Sequence, residues 1–298
     1  MEIVKNCPTC DSTKQESLYE VFDYISKEKF PLVKCLDCTL LYLSKRPSVN
    51  EIEKYYQNSA GNSMRKNPNS IFKKLQEIRL KNEFKIFSHC ISTSDYIVDI
   101  GCGDGALANV IHKLGHRVVG IDVFPAYHWS YQEVPYFQRN LNAFDANTLK
   151  MVLPDGNVKA VILRHNLEHL HFPSSMIDSL AKSGVKYLWI VVPNTDSFFK
   201  GILDQKWNLW DPPRHLTYFN SKSLNLILNR NNFDVIRTEF FNFDELVSSL
   251  YQHIAYNNSY EFIHKWLNPK SPIIALSSAI TSVLPVKTNI GVLAKLRD

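Results

Sequence analysis

The sequence predicts an α/β fold: a parallel sheet flanked by helices, introduced by a zinc ribbon and interrupted late by a helical insertion. Two observations carry that expectation. From residue 95 onward short apolar runs, Tyr96–Ile100, Val118–Ile121, Lys159–Leu163 and Tyr187–Val192, alternate with turns and helical stretches. That is the pattern of strands buried on both faces and joined by crossover helices. Ahead of them stand two Cys-x-x-Cys pairs, Cys7–Cys10 and Cys35–Cys38, separated by 24 residues.

Size and composition set the outer bounds. A chain of 298 residues has room for about two domains at roughly 150 residues each. With 45% hydrophobic and 21% charged residues, 10 Gly and 14 Pro, it is neither disordered, collagenous nor a coiled coil. The net charge of +5 comes from residues 64–90, where seven basic side chains face only Glu77 and Glu83. We read this stretch as a solvated helix face, not a nucleic-acid grip. The longest uncharged run, Ser271–Val286, contains five Ser or Thr and two Pro and falls short of the roughly 20 apolar residues of a membrane span. No apolar segment precedes Cys7, so a cytoplasmic, reducing compartment is expected. Paired cysteines there bind metal in preference to one another.

Four thiolates from Cys7, Cys10, Cys35 and Cys38 complete a tetrahedron around Zn2+ and leave no open position for chemistry, so this metal is expected to be structural. Leu18–Ile25 and Phe30–Lys34 read as two strands joined by a polar turn, the layout of a zinc ribbon over residues 1–45. Cys90 and Cys102 lack a partner pattern and are expected as ordinary buried thiols. Residues 46–94 form a linker with amphipathic helices. Ser48 and Glu51 are spaced as a capping box for a helix running to Tyr56, and residues 57–69 are a polar loop. Ile71, Phe72, Leu75, Ile78 and Phe84 give the near-3.6 period of a helix over about 70–90. Residues 95–298 form the main domain. Its later elements are a helix at Ser223–Leu228, a strand at Phe233–Phe241, a helical insertion over 244–287 and a closing strand at Asn289–Leu296.

The first strand of this domain runs into Asp99-Ile100-Gly101-Cys102-Gly103-Asp104-Gly105-Ala106, and the second ends at Asp122. Glycines at 101, 103 and 105 let the backbone approach a ligand at the strand-to-helix turn, and Asp122 can accept from ribose hydroxyls, which implies a nucleoside-bearing cofactor. Gly101-x-Gly103-x-x-Ala106 also fits a loose dinucleotide pattern. Asp99 tips the balance: a pyrophosphate would not welcome a carboxylate there, whereas the positively charged amino end of S-adenosylmethionine would.

On these residues the sequence resembles the class I S-adenosylmethionine-dependent methyltransferases, over roughly residues 95–243 and the last strand. The resemblance implies a Rossmann-like seven-stranded sheet with its last strand antiparallel. It implies S-adenosylmethionine held by Asp99, Gly101, Gly103, Gly105 and Asp122, with Asn142 or Leu141 beside the adenine. The ribbon, Leu167-Glu168-His169 after the fourth strand, Pro193-Asn194 after the fifth, and Pro213-Arg214-His215-Leu216 before Phe219 look like one branch of that superfamily. Its members commonly methylate sugars, polysaccharides and specialised metabolites. The implied activity is O-methylation of a carbohydrate or small hydroxylated acceptor. A sugar C-methyltransferase and an RNA-directed methyltransferase or nucleic-acid-binding module are the alternatives, the former made less attractive by the lack of a further carboxyl-terminal domain.

His165, Glu168, His169 and His215 are the candidate catalytic residues. Three readings stay open: a histidine base at His169 or His215, a second divalent metal held by the four side chains, or packed histidines. The metal reading rests on a resemblance to small-RNA terminal 2′-O-methyltransferases, from which His165 departs by replacing a Glu. Trp207, Trp210, Tyr218 and Phe219 are either walls of an acceptor pocket or core. The 244–287 insertion is expected to hold the acceptor, or a membrane-bound carrier of it through peripheral contact, or simply to cover the core.

Overall fold

The computed structural model describes residues 1–57, 70–125, 129, 131–153, 156–242, 249 and 286–298. The polar loop and nearly all of the 244–287 insertion lie outside the described residues. Strands β1 to β5 occupy Glu2–Ile3, Gln15–Phe22, Lys29–Cys35, Leu41–Leu43 and Lys45–Arg46, and helices α1 and α2 occupy Glu53–Gln57 and Ser70–Lys85. Then follow β6 at Tyr96–Ile100, α3 at Ala106–Lys113, β7 at Arg117–Asp122, β8 at Tyr136–Gln138 and α4 at Thr148–Val152. β9 spans Val158–Arg164, α5 Pro173–Lys182, β10 Tyr187–Pro193, α6 Phe198–Leu203 and β11 Thr217–Tyr218. The chain closes with α7 at Ser221–Arg230, β12 at Phe233–Phe241 and β13 at Asn289–Leu296.

Two compact units result: Met1–Ser59 with Val192–Leu226 and Glu239–Gly291, and Ala60–Val191 with Ile227–Thr238 and Val292–Asp298.

In the first unit β2 and β3 pair antiparallel from Gln15↔Cys35 to Phe22↔Lys29. The turn between them is built by Asp23, whose carboxylate accepts from the N–H groups of Ile25 at 3.1 Å and Ser26 at 3.0 Å. The sheet then widens in the order β11-β4-β3-β2, with Thr217 opposite Tyr42 and Tyr218 opposite Leu41. Val21, Phe30, Leu32, Leu41, Leu43 and Tyr55 pack with Trp207, Trp210, Leu216 and Tyr218 in a single core. Trp207, Trp210, Tyr218 and Phe219 are all buried, with Trp210 edge-on to Trp207 at 5.0 Å and to Tyr218 at 4.9 Å. They are core, so the pocket-wall alternative falls. The Ser48–Glu51 pair forms as the spacing predicts, Glu51 Oε2 accepting from the Ser48 N–H at 3.0 Å and hydroxyl at 2.8 Å. The pair closes a turn one step before α1, which begins only at Glu53.

The second unit carries most of a seven-stranded sheet in the order β12-β13-β10-β9-β6-β7-β8. The pairs β7/β8, β6/β7, β6/β9 and β9/β10 are parallel. From β6 the chain moves outward through β7 and β8, then returns to place β9 on the other side of β6. That reversal opens the crevice at the carboxyl ends of β6 and β9 where ligands bind in open α/β sheets. Helix α2 ends at Lys85, short of 90, because the next bonds run three residues back, Ile86 N–H to Glu83 O and Phe87 N–H to Phe84 O, and tighten the chain out of α geometry. Leu80, Glu83, Phe84 and Phe87 are buried, whereas Ile78 is 52% exposed, so Ile78 stands outside the stripe its spacing suggested. Glu83, read as part of a solvated face, is buried too. It accepts from Arg164 Nε at 3.1 and 3.2 Å and from Trp189 Nε1 at 3.1 Å. Lys81 and Lys85 do face solvent.

Among the described residues no helix is long and apolar enough to cross a membrane.

Candidate functional site

The ribbon brings Cys7, Cys10, Cys35 and Cys38 together with their sulfur atoms within 4.8 Å of one another. Both knuckles use the same local device. Asp11 N–H returns to Cys7 O at 2.9 Å and Thr39 N–H to Cys35 O at 3.0 Å, and Asp11 and Thr39 both take positive φ, 61° and 66°. Sγ of Cys7 lies 3.5 Å from that of Cys38, and Sγ of Cys10 lies 3.5 Å from that of Cys35. A tetrahedral zinc with bonds of about 2.3 Å requires sulfur edges of about 3.8 Å, so the donor set fits the ion. The Cys38 thiol bonded to Cys7 brings the Cys7 thiol down to about 5 despite burial. Cys10 is pushed up to about 11, chiefly by burial. Cys90 and Cys102 are only partly buried, not the core thiols expected of them.

In the second unit the glycine turn leaves β6 at the crevice. Gly101, Gly103 and Gly105 adopt φ of 73°, 60° and 84°, the left-handed region that a side chain disfavours. Asp122, at the end of β7, ties this turn down. Its Oδ2 accepts from Gly103 N–H at 2.7 Å, and its Oδ1 from Val123 and Phe124 N–H at 2.7 and 3.3 Å. Three of the roughly four acceptor positions of a carboxylate are thus committed to backbone. Asp99 lies inside β6, paired with Gly120 and Ile162, not beyond the strand's end. Burial pushes its carboxyl up to about 7, against the opposing pull of Arg164.

The space over the first glycine is filled by the side chain of Asn166. A Cβ on Gly101 would meet Asn166 Nδ2 at 2.1 Å and Cγ at 2.5 Å. Sequence reasoning passed over Asn166, since an asparagine after a strand is ordinary loop chemistry. Gly105 answers to a different neighbour, the Trp129 ring at 2.6 Å from a Cβ placed there. Asn142 sits in a short helical turn, its own N–H held by Asn140 Oδ1 at 3.0 Å and its Oδ1 accepting from His171 N–H at 3.0 Å. Its side-chain amide N–H groups are the donors it can offer a nucleobase. Leu141 beside it is buried.

A family model described as a methyltransferase domain matches residues 65–238, more than half of the chain. The chain belongs to this methyltransferase-domain family. Solved structures agree on the fold. An S-adenosylmethionine-dependent methyltransferase from Archaeoglobus fulgidus is 21% identical, with a TM-score of 0.50 over 75% of this chain and 94% of that one. The magnesium protoporphyrin IX methyltransferase of Synechocystis PCC 6803, solved with S-adenosylhomocysteine, is 15% identical, with a TM-score of 0.50 over 83% of this chain and 99% of that one. At these identities the likeness is one of fold. No curated protein matches.

In this methyltransferase domain, β9 is followed by the candidate catalytic residues. His165 takes a left-handed φ of 50°, and its Nδ1 lies 3.6 Å from Glu168 Oε1. Glu168 is buried, and burial pushes its carboxyl up to about 8. His169 is half-buried.

His215 belongs to the first unit, where its Nδ1 lies 2.8 Å from Leu209 O. A carbonyl can only accept, so Nδ1 carries the proton and Nε2 the lone pair. Burial brings this imidazole down to about 4, which makes it neutral but weakly basic. Arg214 beside it is clamped by Asp23 and Asp211, each 2.7 Å from Nη2. The Pro-Arg-His-Leu segment is thus fastened to the ribbon turn. Asn194 is buried and tied to Lys287 O through Nδ2 at 2.9 Å, a link that joins the segment after β10 to the start of β13.

Proposed function

We propose that this methyltransferase uses S-adenosylmethionine to methylate a hydroxyl of a carbohydrate or related small acceptor. The observation that carries the donor assignment is the glycine turn, three left-handed residues anchored by Asp122 at the crevice of a parallel sheet. Bound there, S-adenosylmethionine supplies an electrophilic methyl group on a sulfonium. Asp99, Gly101, Gly103, Gly105 and Asp122 hold and orient it, with Asn142 toward the adenine. Fixing the acceptor oxygen in line with the methyl carbon supplies much of the acceleration.

An alcohol must also lose its proton, and His169, half-buried after β9, is the residue suited to take it. His215, neutral and weakly basic, suits orientation of the acceptor better than proton removal. The thiolates of Cys7, Cys10, Cys35 and Cys38 hold a structural zinc. The carbohydrate acceptor rests on the resemblance of the ribbon, Leu-Glu-His and Pro-Arg-His-Leu to a branch whose members commonly methylate sugars, polysaccharides and specialised metabolites.

The test is a screen of tritiated S-adenosylmethionine against nucleotide sugars, glycans and RNA, with and without chelator. Label transferred to a sugar hydroxyl, lost roughly 100-fold in His169→Ala and insensitive to chelator, is the expected result. Transfer to RNA alone would overturn the acceptor assignment. Chelator-sensitive transfer restored by a divalent ion would replace the histidine base with a metal.

A further inference from the structure

Thr9 stands inside the first knuckle, between Pro8 and Cys10, and is 3% exposed. Its hydroxyl reaches across to the second knuckle: Oγ1 lies 3.4 Å from Cys7 Sγ and 3.3 Å from Cys38 Sγ. These two sulfurs are themselves 3.5 Å apart, so the hydroxyl caps one edge of the thiolate tetrahedron. The position that matches Thr9 in the second knuckle is Asp37. Its side chain is 50% exposed and lies 4.0 Å from Lys14 Nζ. The knuckles therefore share their backbone turn but differ here, one burying a hydroxyl against the sulfurs and the other sending a carboxylate into solvent.

Thiolates gathered around a dication bury an excess of negative charge, which is costly unless hydrogen-bond donors meet it. A thiolate can only accept, and a threonine hydroxyl has one proton to give. In the metal-bound centre that proton has an acceptor within reach on each knuckle. The β-branched side chain has few rotamers, so the hydroxyl is held in place for the sulfurs. We propose that the Thr9 hydroxyl is a second hold on the ribbon zinc, donating to the Cys7 and Cys38 thiolates and so tightening the grip on the ion across both knuckles. The inference rests on the zinc reading above. Thr9 touches the ligands and not the ion, which makes it a positioning residue, and partners of this kind are worth about 10–100-fold in metal affinity.

The test uses the full chain and two readouts. Zinc affinity is measured by competition with a chromophoric chelator. Cobalt put in place of zinc gives a thiolate-to-metal charge-transfer band whose energy follows the electron density on sulfur. Thr9→Val keeps the shape and loses the hydroxyl; it should weaken zinc about tenfold or more and move the cobalt band to lower energy. Thr9→Ser keeps the donor and should match wild type in both. Should the valine variant fold poorly, Thr9→Ala against Thr9→Ser makes the same comparison. Unchanged zinc affinity, a loss with the cobalt band unmoved, or a serine variant as impaired as valine would overturn the assignment while leaving the zinc reading intact. Wild-type protein that takes up neither metal would overturn the zinc reading itself, and this assignment with it.

Discussion

Replacing Arg214 by Met tests whether the Pro-Arg-His-Leu segment is a structural clamp. Arg214 and Asp23 have side chains 5% and 1% exposed and meet at 2.7 Å, and Asp211, 33% exposed, shares the same Nη2. Nη1 also reaches Tyr55 O at 3.3 Å. Removing one partner of a buried pair costs about 3–5 kcal/mol. Asp23 keeps the N–H groups of Ile25 and Ser26, so the lower end, about 3 kcal/mol, is expected in urea unfolding. Adding Asp23→Asn removes the stranded charge and should recover more than half of that loss.

The pH dependence supplies an independent sign. Burial alone would push the Asp23 carboxyl up, but the hydrogen bonds and charge of Arg214 outweigh it and hold the group below its ordinary value. In the wild type this contribution is present above the unfolded pKa, about 3.9, and is lost as pH falls through the lower folded value. In Arg214→Met burial is opposed only by the hydrogen bonds of Ser26, so the carboxyl rises and the variant should be penalised less at pH 5 than at pH 8. A variant within about 0.5 kcal/mol of wild type at both pH values would refute the clamp.

Three further outcomes are expected. Protein purified without chelator should carry one zinc per chain by elemental analysis, lost or loosened in Cys38→Ser, and zinc-free wild type would sink the ribbon assignment. Asp122→Ala should weaken S-adenosylhomocysteine at least tenfold, because it frees Gly103 as well as removing a ribose acceptor; unchanged affinity in calorimetry would contradict this. Glu168, held near 8 by burial, keeps a proton that the unfolded chain releases near 4.5. Its contribution is full below about pH 4.5 and lost as pH rises through 8. Wild type should therefore lose on the order of 3 kcal/mol relative to Glu168→Gln between pH 5 and pH 8, and parallel pH profiles would rule the buried acid out.

The elements that announce themselves in sequence are those fixed by local rules. Val98 and Ile162 lie in strands covered on both faces, so their apolar runs show directly, and the knuckles are legible because metal spacing is a property of a few adjacent residues. What escaped depends on distant partners. Tyr136–Gln138 is a strand of three residues with no apolar run, recognisable only by its pairing with Gly120–Asp122. Glu83 reads as a surface charge until Arg164 and Trp189 are brought to it by the fold. Asn166 becomes informative only when Gly101, 65 positions earlier, is placed beneath it. Trp207 and Trp210 have the composition of a ligand wall and the location of a core, and no local signal separates the two.

The two-residue strand Thr217–Tyr218 also sets a schedule for synthesis. The knuckles and β2 to β4 leave the ribosome early, yet the neighbour that completes β4 is translated roughly 175 residues later. At about 5–20 residues per second, Leu41–Leu43 waits on the order of ten to thirty seconds with one edge unpaired and its apolar side chains without Trp210 and Tyr218. An open edge of that kind is a template for pairing with other chains. The nascent protein is therefore most vulnerable to self-association in this interval, and slow translation or a crowded polysome would lengthen its exposure more than any weakness in the finished fold.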